Sequence, residues 1–203
     1  MRDLLLNRPI TEIDLVVPGD AAAWARAAAP ALGSRAVQID DRIGVWRIPL
    51  GDENQPPGQI DVARMTGPGD GDLAHDLARR DFTIDALAVP LAEFDGAELE
   101  ADATSVVRAH VVDQHGGLAD LDGGRLRATA DQVFVEDPLR GLRAARLAAQ
   151  LAFDVESGTL SLIAQTVGLL GQVSPDRVGQ ELLRTFACDA AARGVAVMET
   201  TGL

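Results

Sequence analysis

The pattern of hydrophobic and polar positions changes along the chain. Up to about residue 130, short apolar runs typical of strands alternate with helical spacing, whereas the last seventy or so residues show helical spacing throughout. This pattern predicts an α/β or α+β domain followed by a helical extension, with the boundary near Ala130.

Individual elements follow from the same pattern and from their end signals. Asp20 is the predicted N-cap of an alanine-rich helix that closes near Gly33, and further helices are predicted over residues 2–6, 72–79, 138–152, 159–170 and 175–188. Strands are predicted over residues 13–17, 36–39, 44–50, 59–65, 82–90, 106–112 and 125–129, with a polar loop at 51–58. The helices beyond residue 130 are expected to form a small bundle.

The composition narrows the class of protein. The single cysteine, Cys188, rules out an intrachain disulfide and favours the cytoplasm, and no apolar run reaches the ~20 residues that cross a bilayer. The net charge of −13 means that RNA binding requires a local basic patch or further chain. All 18 basic residues are arginines, which suit bidentate contacts with phosphate groups and base edges.

An acidic pair, Glu12 and Asp14, accompanies the first predicted strand. Residues two apart on a strand project from the same face, so the two carboxylates can share a pair of Mg²⁺ ions. A third carboxylate usually completes such a cage, and Asp61 on the predicted strand at 59–65 is the candidate. The alternative is a strand that carries ordinary solvent-facing acids.

The segment at residues 79–87 reads RRDFTIDAL. If it is extended, Asp81, Thr83 and Asp85 lie on one face and the apolar residues between them on the other, as the wall of a binding site requires. The alternative is an exposed helix end, where Arg79 and Arg80 complement the helix dipole.

The segment at residues 136–143 reads EDPLRGLR. Asp137 can cap a helix there, and Arg140 and Arg143 follow at steps of three residues on its surface. An acid beside an arginine complements the exocyclic amine and bare ring nitrogen of cytosine and adenine, and it repels uracil and guanine. The alternative is an amphipathic helix with an acidic N-cap.

Together with the sequence TEIDLVV at residues 11–17, these two segments resemble the class II nucleotidyltransferases, the family of bacterial CCA-adding tRNA nucleotidyltransferases and poly(A) polymerases. The resemblance implies an α+β fold, with a small, mixed-sheet, palm-like head over residues 1–130 and an all-helical neck over residues 131–203. Family members begin with a Gly-Gly turn, and here the likeness starts just after it, at Arg2 and Asp3. Head and neck are therefore both expected to be incomplete.

The resemblance also implies a role for each candidate residue. Glu12 and Asp14 would bind Mg²⁺ and, with Asp61, act as the catalytic residues. The expected nucleotide-binding residues are Arg2, Asp3, Arg79, Arg80, Asp81, Asp85, Asp137, Arg140 and Arg143. Of these, Arg79 and Arg80 would contact the triphosphate, and Asp81 would accept a hydrogen bond from the ribose 2′ hydroxyl. Asp137 and Arg140 would contact the base. The chain departs from the family at Glu12, where Asp is usual, and at Asp85, where Asn is usual.

Three functions remain as hypotheses. The first is template-independent addition of CMP or AMP from CTP and ATP to an RNA 3′ end, with tRNA as the expected RNA. The second, motivated by Glu12 and Asp85, is a catalytically impaired remnant that binds nucleotide. The third is an unrelated α/β protein. The sequence leaves CCA addition, A addition and poly(A) synthesis open, and it predicts no oligomeric state.

Overall fold

The computed structural model describes residues 1–40, 44–51, 58–93 and 96–203, and the chain divides into two compact units. The sheet unit comprises residues 3–76 and 95–108, and the helical unit comprises residues 1–2, 77–94 and 109–203. Most of the predicted polar loop at 51–58 lies outside the described residues.

The secondary structure mixes strands and helices, as an α+β fold requires. The strands are β1 (Glu12–Val17), β2 (Val37–Asp40), β3 (Val45–Leu50), β4 (Gly58–Arg64), β5 (Leu87–Ala88), β6 (Val112–Asp113), β7 (Arg125–Leu126) and β8 (Asp154–Val155). The helices are α1 (Arg2–Leu5), α2 (Ala21–Ala28), α3 (Leu73–Ala78), α4 (Gly96–Ala109), α5 (Gly117–Asp122), α6 (Val133–Glu136), α7 (Leu139–Leu151), α8 (Ser157–Thr166), α9 (Pro175–Phe186) and α10 (Ala191–Thr201).

A four-stranded mixed sheet in the order β1-β4-β3-β2 forms the sheet unit. β1 runs parallel to β4, whereas β3 is antiparallel to both of its neighbours. Val17, Ile48 and Val62 project from one face and pack with the small side chains of α2 to form the core. Because side chains alternate along a strand, the residues between these core positions lie on the opposite face.

Local capping fixes the start of α2, as predicted. The Asp20 side chain accepts hydrogen bonds from the backbone N–H groups of Ala22 and Ala23, at 2.9 and 3.2 Å. A 3₁₀ turn follows α2 and ends at Gly33, whose φ of 65° suits a residue without a side chain. Both end signals that the sequence offers are therefore used.

The core of the helical unit centres on α7. This helix is amphipathic, and Leu142, Ala145 and Leu147 lie on its buried face. A Cβ on Gly194 of α10 would lie 2.8 Å from the Ala145 carbonyl oxygen, so glycine is what allows the two helices to approach. Across the described residues, no helix combines the length and the apolar character needed to cross a membrane.

The prediction of an extended segment over 82–90 is wrong for its first half. Residues Thr83–Asp85 form a 3₁₀ turn, and only the two-residue strand β5 follows it. The Thr83 hydroxyl donates to the buried carboxylate of Asp120 at 2.7 Å, and Arg127 donates to the same carboxylate at 2.9 Å. Thr83 is thus fully buried and does not share a polar face with Asp81 and Asp85.

The predicted strand at 106–112 is also largely wrong. Residues up to Ala109 belong to α4, which consists of two helical segments joined at Asp102, where the backbone is not helical. The Asp102 side chain accepts from the backbone N–H of Ser105 at 3.1 Å and so caps the second segment. Short apolar runs fit a helix or a strand equally, and this cap favours the helix.

Candidate functional site

The three predicted carboxylates converge on the exposed face of the sheet unit. Strand pairing places Asp14 opposite Asp61, and Glu12 lies two residues before Asp14 on the same face. One carboxylate oxygen from each residue lies within 4.8 Å of the other two. The parallel pairing of β1 with β4 is what brings residues 47 positions apart along the chain to one place.

Desolvation and, to a smaller extent, the neighbouring acids act on Glu12. Partial burial raises the pKa of Glu12 above its ordinary value of 4.5, and repulsion from Asp14 and Asp61 adds to this effect. The side-chain amide of Gln59 donates to Glu12 at 2.5 Å and opposes the shift. Glu12 is therefore held in place by its cross-strand neighbour while it lies beside two other acids.

Arg47 on β3 contacts two of these acids, Asp61 and Glu12. Its Nε donates to Oδ1 of Asp61 at 2.7 Å and its Nη2 to Oδ2 at 2.6 Å, and Nη2 lies 3.6 Å from Oε1 of Glu12. The hydrogen bonding with Asp61 raises the pKa of Arg47 above its ordinary value. Sequence reasoning missed Arg47, because only the strand register, which pairs it with Asp61, reveals the contact.

The donor set fits a hard divalent cation. Carboxylate oxygens are the protein ligands that Mg²⁺ prefers, and Mg²⁺ sites commonly use one or two carboxylates together with water and substrate phosphate groups. Glu12 and Asp14 are exposed and Asp61 is half-buried, so this face is open to such ligands. The chemistry and spacing of the three residues thus fit a divalent cation.

A second group of predicted residues lies in the helical unit, around Asp81. Arg143 on α7 donates to Oδ2 of Asp81 at 2.9 Å, and the backbone N–H of Phe82 donates to Oδ1 at 3.0 Å. Burial disfavours the charged form of Arg143, but the charge and hydrogen bond of Asp81, together with the charges of Glu181 and Asp85, outweigh burial and raise the pKa of Arg143. Asp81 itself is 5% exposed, so its orientation is fixed by these two donors.

Asp137 and Arg140, the predicted base-reading pair, lie at the start of α7. Asp137 accepts from the backbone N–H of Leu139 at 3.2 Å, which confirms its predicted capping contact. Arg140 donates to two backbone carbonyls, that of Val133 at 3.2 Å and that of Arg79 at 3.0 Å. These bonds connect the beginning of α7 to α6 and to Arg79.

The other predicted residues of the helical unit have partners of their own. Arg2 forms an ion pair with Asp85 at 2.8 Å, and Arg79 lies 3.3 Å from Glu136. The carbonyl oxygen of Arg80 accepts a short hydrogen bond from the hydroxyl of Thr129.

Asp3, the one predicted nucleotide-binding residue of the sheet unit, lies 3.7 Å from Nε of Arg8. Their side chains are about one-third exposed. This contact is longer than a direct hydrogen bond, so it orients Asp3 only weakly.

Two charged residues of α9 were not predicted. Arg177 donates to Oδ2 of Asp137 at 2.9 Å, and the buried Glu181 accepts from Arg146 of α7 at 2.7 Å. In the sequence, the feature that could have indicated these residues is Glu181 at a core-facing position of an amphipathic helix, four residues after Arg177. These contacts attach α9 to the segment that carries Asp137.

Comparison with known families decides what the chain is related to. The family model described as "Poly A polymerase head domain" matches residues 1–127, and the model described as "Probable RNA and SrmB- binding site of polymerase A" matches residues 152–203. The chain belongs to the poly(A) polymerase head domain family. The resemblance seen in residues 11–17 and 79–87 is thereby confirmed, whereas residues 136–143 lie between the two matched ranges.

Curated relatives of this family are similar along the whole chain. A CC-adding tRNA nucleotidyltransferase of Geobacter sulfurreducens is 36% identical over 203 residues, and an A-adding tRNA nucleotidyltransferase of Deinococcus radiodurans is 32% identical over 208 residues. In both comparisons all of this chain is covered, but only 42% of the relative. The chain thus spans less than half the length of these relatives.

Solved structures agree with the fold. A Thermotoga maritima CCA-adding enzyme complexed with tRNA superimposes with a TM-score of 0.79 and 29% identity, covering 99% of this chain and 44% of that one. A CCA-adding enzyme in complex with CTP gives a TM-score of 0.80 at the same identity, with 99% and 45% coverage. The α+β fold predicted from sequence is confirmed by these likenesses.

Proposed function

We propose that this chain transfers CMP or AMP from CTP or ATP to the 3′ end of an RNA, without a nucleic-acid template, and that the RNA is a tRNA. The observation that carries the proposal is the convergence of Glu12, Asp14 and Asp61 in a chain whose first 127 residues match the head domain. Relatives named as CC-adding, A-adding and CCA-adding enzymes support tRNA as the substrate. We further assign residues 1–130 to the head and residues 131–203 to the neck, and we place the protein in the cytoplasm.

Glu12, Asp14 and Asp61 would hold Mg²⁺ in this reaction. When bound, Mg²⁺ supplies activation of the attacking 3′ hydroxyl and neutralisation of the leaving pyrophosphate. The 3′ oxygen of the RNA attacks the α-phosphorus of the nucleotide, a new phosphodiester bond forms, and the bond to the β-phosphate oxygen breaks. The chain's own contribution is to fix three acidic oxygens on one rigid sheet face.

Arginines and acids of the helical unit would bind the nucleotide. Arg79 and Arg80, with Arg2, supply cationic donors for the triphosphate. Asp81, oriented by Arg143 and by a backbone N–H, presents its remaining acceptor capacity to the ribose 2′ hydroxyl. These contacts select a ribonucleotide but do not distinguish its base.

Base choice would fall to Asp137 and Arg140. Each terminal nitrogen of Arg140 donates one N–H to a carbonyl oxygen and retains a second, and a carboxylate accepts more bonds than the two that Asp137 receives. The pair therefore keeps an acceptor and donors for the exocyclic amine and ring nitrogen of cytosine or adenine. Arg177 fixes the orientation of Asp137 for this task.

The direct test is incorporation of radiolabelled nucleotide into tRNA that lacks its terminal CCA. The chain is incubated with Mg²⁺ and each of the four nucleoside triphosphates, beside an Asp14→Asn variant as the control. We expect labelled product with CTP or ATP only, and only from the parent chain. Equal incorporation of UTP and GTP, or product that Asp14→Asn leaves unchanged, would refute the proposal.

Two ion pairs favour a second candidate, a remnant that binds nucleotide without transferring it. Asp61 is held by Arg47, and Asp85, which replaces the family's usual Asn, is held by Arg2. Both pairs engage side chains that the reaction would use. ATP binding by the parent chain without any incorporation into tRNA would support this candidate.

A further inference from the structure

Arg47 and Asp61 form a built contact within the sheet. Both residues lie in regular strands, and the antiparallel register of β3 with β4 places them directly opposite each other. The guanidinium fork uses two nitrogens for the two oxygens of one carboxylate, at 2.7 and 2.6 Å. Such paired, charge-assisted bonds are stronger and more oriented than single ones.

The contact lies in a continuous row across the sheet. Asp14 is paired with Asp61, and Asp61 is paired with Arg47. Asp61 therefore lies between Asp14 and Arg47. Arg47 also lies 3.6 Å from Glu12. Two of the three acids in the proposed metal site therefore contact the same guanidinium group.

This arrangement opposes a divalent cation in two ways. Each hydrogen bond from Arg47 occupies one lone-pair position on an Asp61 oxygen, so fewer positions remain for a metal ion. In addition, a positive charge within hydrogen-bond distance of Asp61 repels any cation bound to the same oxygens. Neither effect requires the sheet to change its register.

We propose that Arg47 is an internal counter-cation that competes with the divalent metal ion for Asp61, so that the complete triad forms only when the guanidinium group withdraws. The inference rests on the proposed metal site and assigns Arg47 a positioning role, not a catalytic one. Arg47 is attached to an otherwise exposed strand face, and its side chain is 32% exposed, so the group has room to withdraw. The protein without nucleotide should therefore bind a divalent metal ion more weakly than the same three acids would bind it in the absence of the Arg47 guanidinium group.

The test is a Mn²⁺ titration of the whole chain without nucleotide, in which the EPR signal of free Mn²⁺ reports binding. We expect Arg47→Met to lower the dissociation constant about tenfold, because it removes a positive charge next to the site. Arg35→Met is the matched control, since it removes the same charge from an exposed position in the same unit, and it is expected to change the constant less than twofold. Unchanged or weaker binding by Arg47→Met would overturn the inference.

Further variants guard against loss of the fold and against a charge effect alone. Arg47→Lys keeps the charge but not the fork, so its affinity should lie between those of the parent and Arg47→Met. In a protein that already carries Asp61→Asn, Arg47→Met should also change the dissociation constant. That change should be at least about threefold smaller than the change it causes in the parent. Full additivity of the two substitutions, or parent-like binding by Arg47→Lys, would contradict competition for Asp61.

The same titration separates this inference from the proposed function. If Asp14→Asn abolishes Mn²⁺ binding while Arg47→Met leaves it unchanged, the metal site stands and the role of Arg47 falls. If neither the parent chain nor Arg47→Met binds Mn²⁺, the metal site and the inference both fall.

Discussion

In the described part of the chain, Arg47 hydrogen-bonds to Asp61 and Gln59 hydrogen-bonds to Glu12, whereas neither contacts Asp14. Asp14 lies opposite Asp61 in the pairing of β1 with β4. Loss of outer-shell partners of a metal ligand already reduces affinity about 10- to 100-fold, so loss of a ligand should reduce it at least as much. We therefore predict that Asp14→Asn weakens Mn²⁺ binding more than about tenfold and abolishes nucleotide incorporation. Asp70→Asn, in an exposed loop of the same unit, is the control and should leave both measurements unchanged.

Arg140 allows a prediction about specificity. Removing its side chain removes the donors proposed to recognise cytosine and adenine, and a good bidentate pair contributes about 1–3 kcal/mol of discrimination. Arg140→Ala should therefore lower the preference for CTP and ATP over UTP and GTP about tenfold or more, measured as the ratio of their binding constants.

The control for this prediction is Arg184→Ala, on the exposed side of α9. It removes the same charge and should leave the preference unchanged. Because Arg140 also donates to two carbonyls, some loss of stability is expected, and the ratio of affinities is therefore the relevant measurement. An unchanged ratio in Arg140→Ala would contradict the base-edge role.

At the scale of elements, α5 depends on a glycine at its first residue. A Cβ on Gly117 would lie 2.1 Å from the backbone carbonyl oxygen of Thr83, which cannot be relieved by moving a flexible side chain. Gly117→Ala should therefore lower the free energy of unfolding by about 2 kcal/mol or more, as measured in urea.

The matched substitution Gly179→Ala lies inside α9, where an added Cβ meets nothing within 4 Å. It should raise the free energy of unfolding by about 0.5–1 kcal/mol, because alanine favours helix over glycine. Equal effects of the two substitutions would show that the close approach to Thr83 does not constrain the fold.

The cap of α8 gives a pH-dependent prediction. The Glu156 carboxylate accepts from the backbone N–H of Thr159 at 2.8 Å, and this bond lowers the pKa of Glu156 below 4.5. A lowered pKa means that the stabilisation is present above the ordinary pKa and is lost as the pH falls through the folded-state value. Glu156→Gln should cost about 0.5–1 kcal/mol of unfolding free energy at pH 7, and this cost should shrink toward pH 3.

Glu199→Gln, at an exposed position of α10, is the control for the cap, and it should change the free energy of unfolding at pH 7 by less than Glu156→Gln does. A cost of Glu156→Gln that stayed constant between pH 7 and pH 3 would contradict an ionised cap.

At the scale of the whole molecule, the sequence predicts what depends on local signals. The alternation around Glu12 and Asp14, the cap at Asp20 and the helical spacing after residue 130 all correspond to elements of the structure. Each of these depends on residues within a few positions of one another. The α+β class follows from their order along the chain.

What the sequence could not predict depends on pairing between distant segments. The contact of Arg47 with Asp61 requires the register of two strands, and that of Arg177 with Asp137 requires the packing of α9. The turn at Thr83 is likewise stabilised by a buried partner 37 residues away. Apolar runs such as that after Ser105 fit two periods equally, and a side-chain cap decides between them.

The most direct measurement concerns the cation site formed by Glu12, Asp14 and Asp61. Fe²⁺ can replace Mg²⁺ at oxygen-ligand sites, and with ascorbate and peroxide it generates radicals that cleave the backbone next to the bound ion. Mass spectrometry of the whole chain should show cuts near residues 12–14 and 59–61, suppressed by excess Mg²⁺ and absent in Asp14→Asn. Cuts located elsewhere, or cuts at these residues that Asp14→Asn leaves unchanged, would contradict a metal-dependent nucleotidyltransferase site on this sheet.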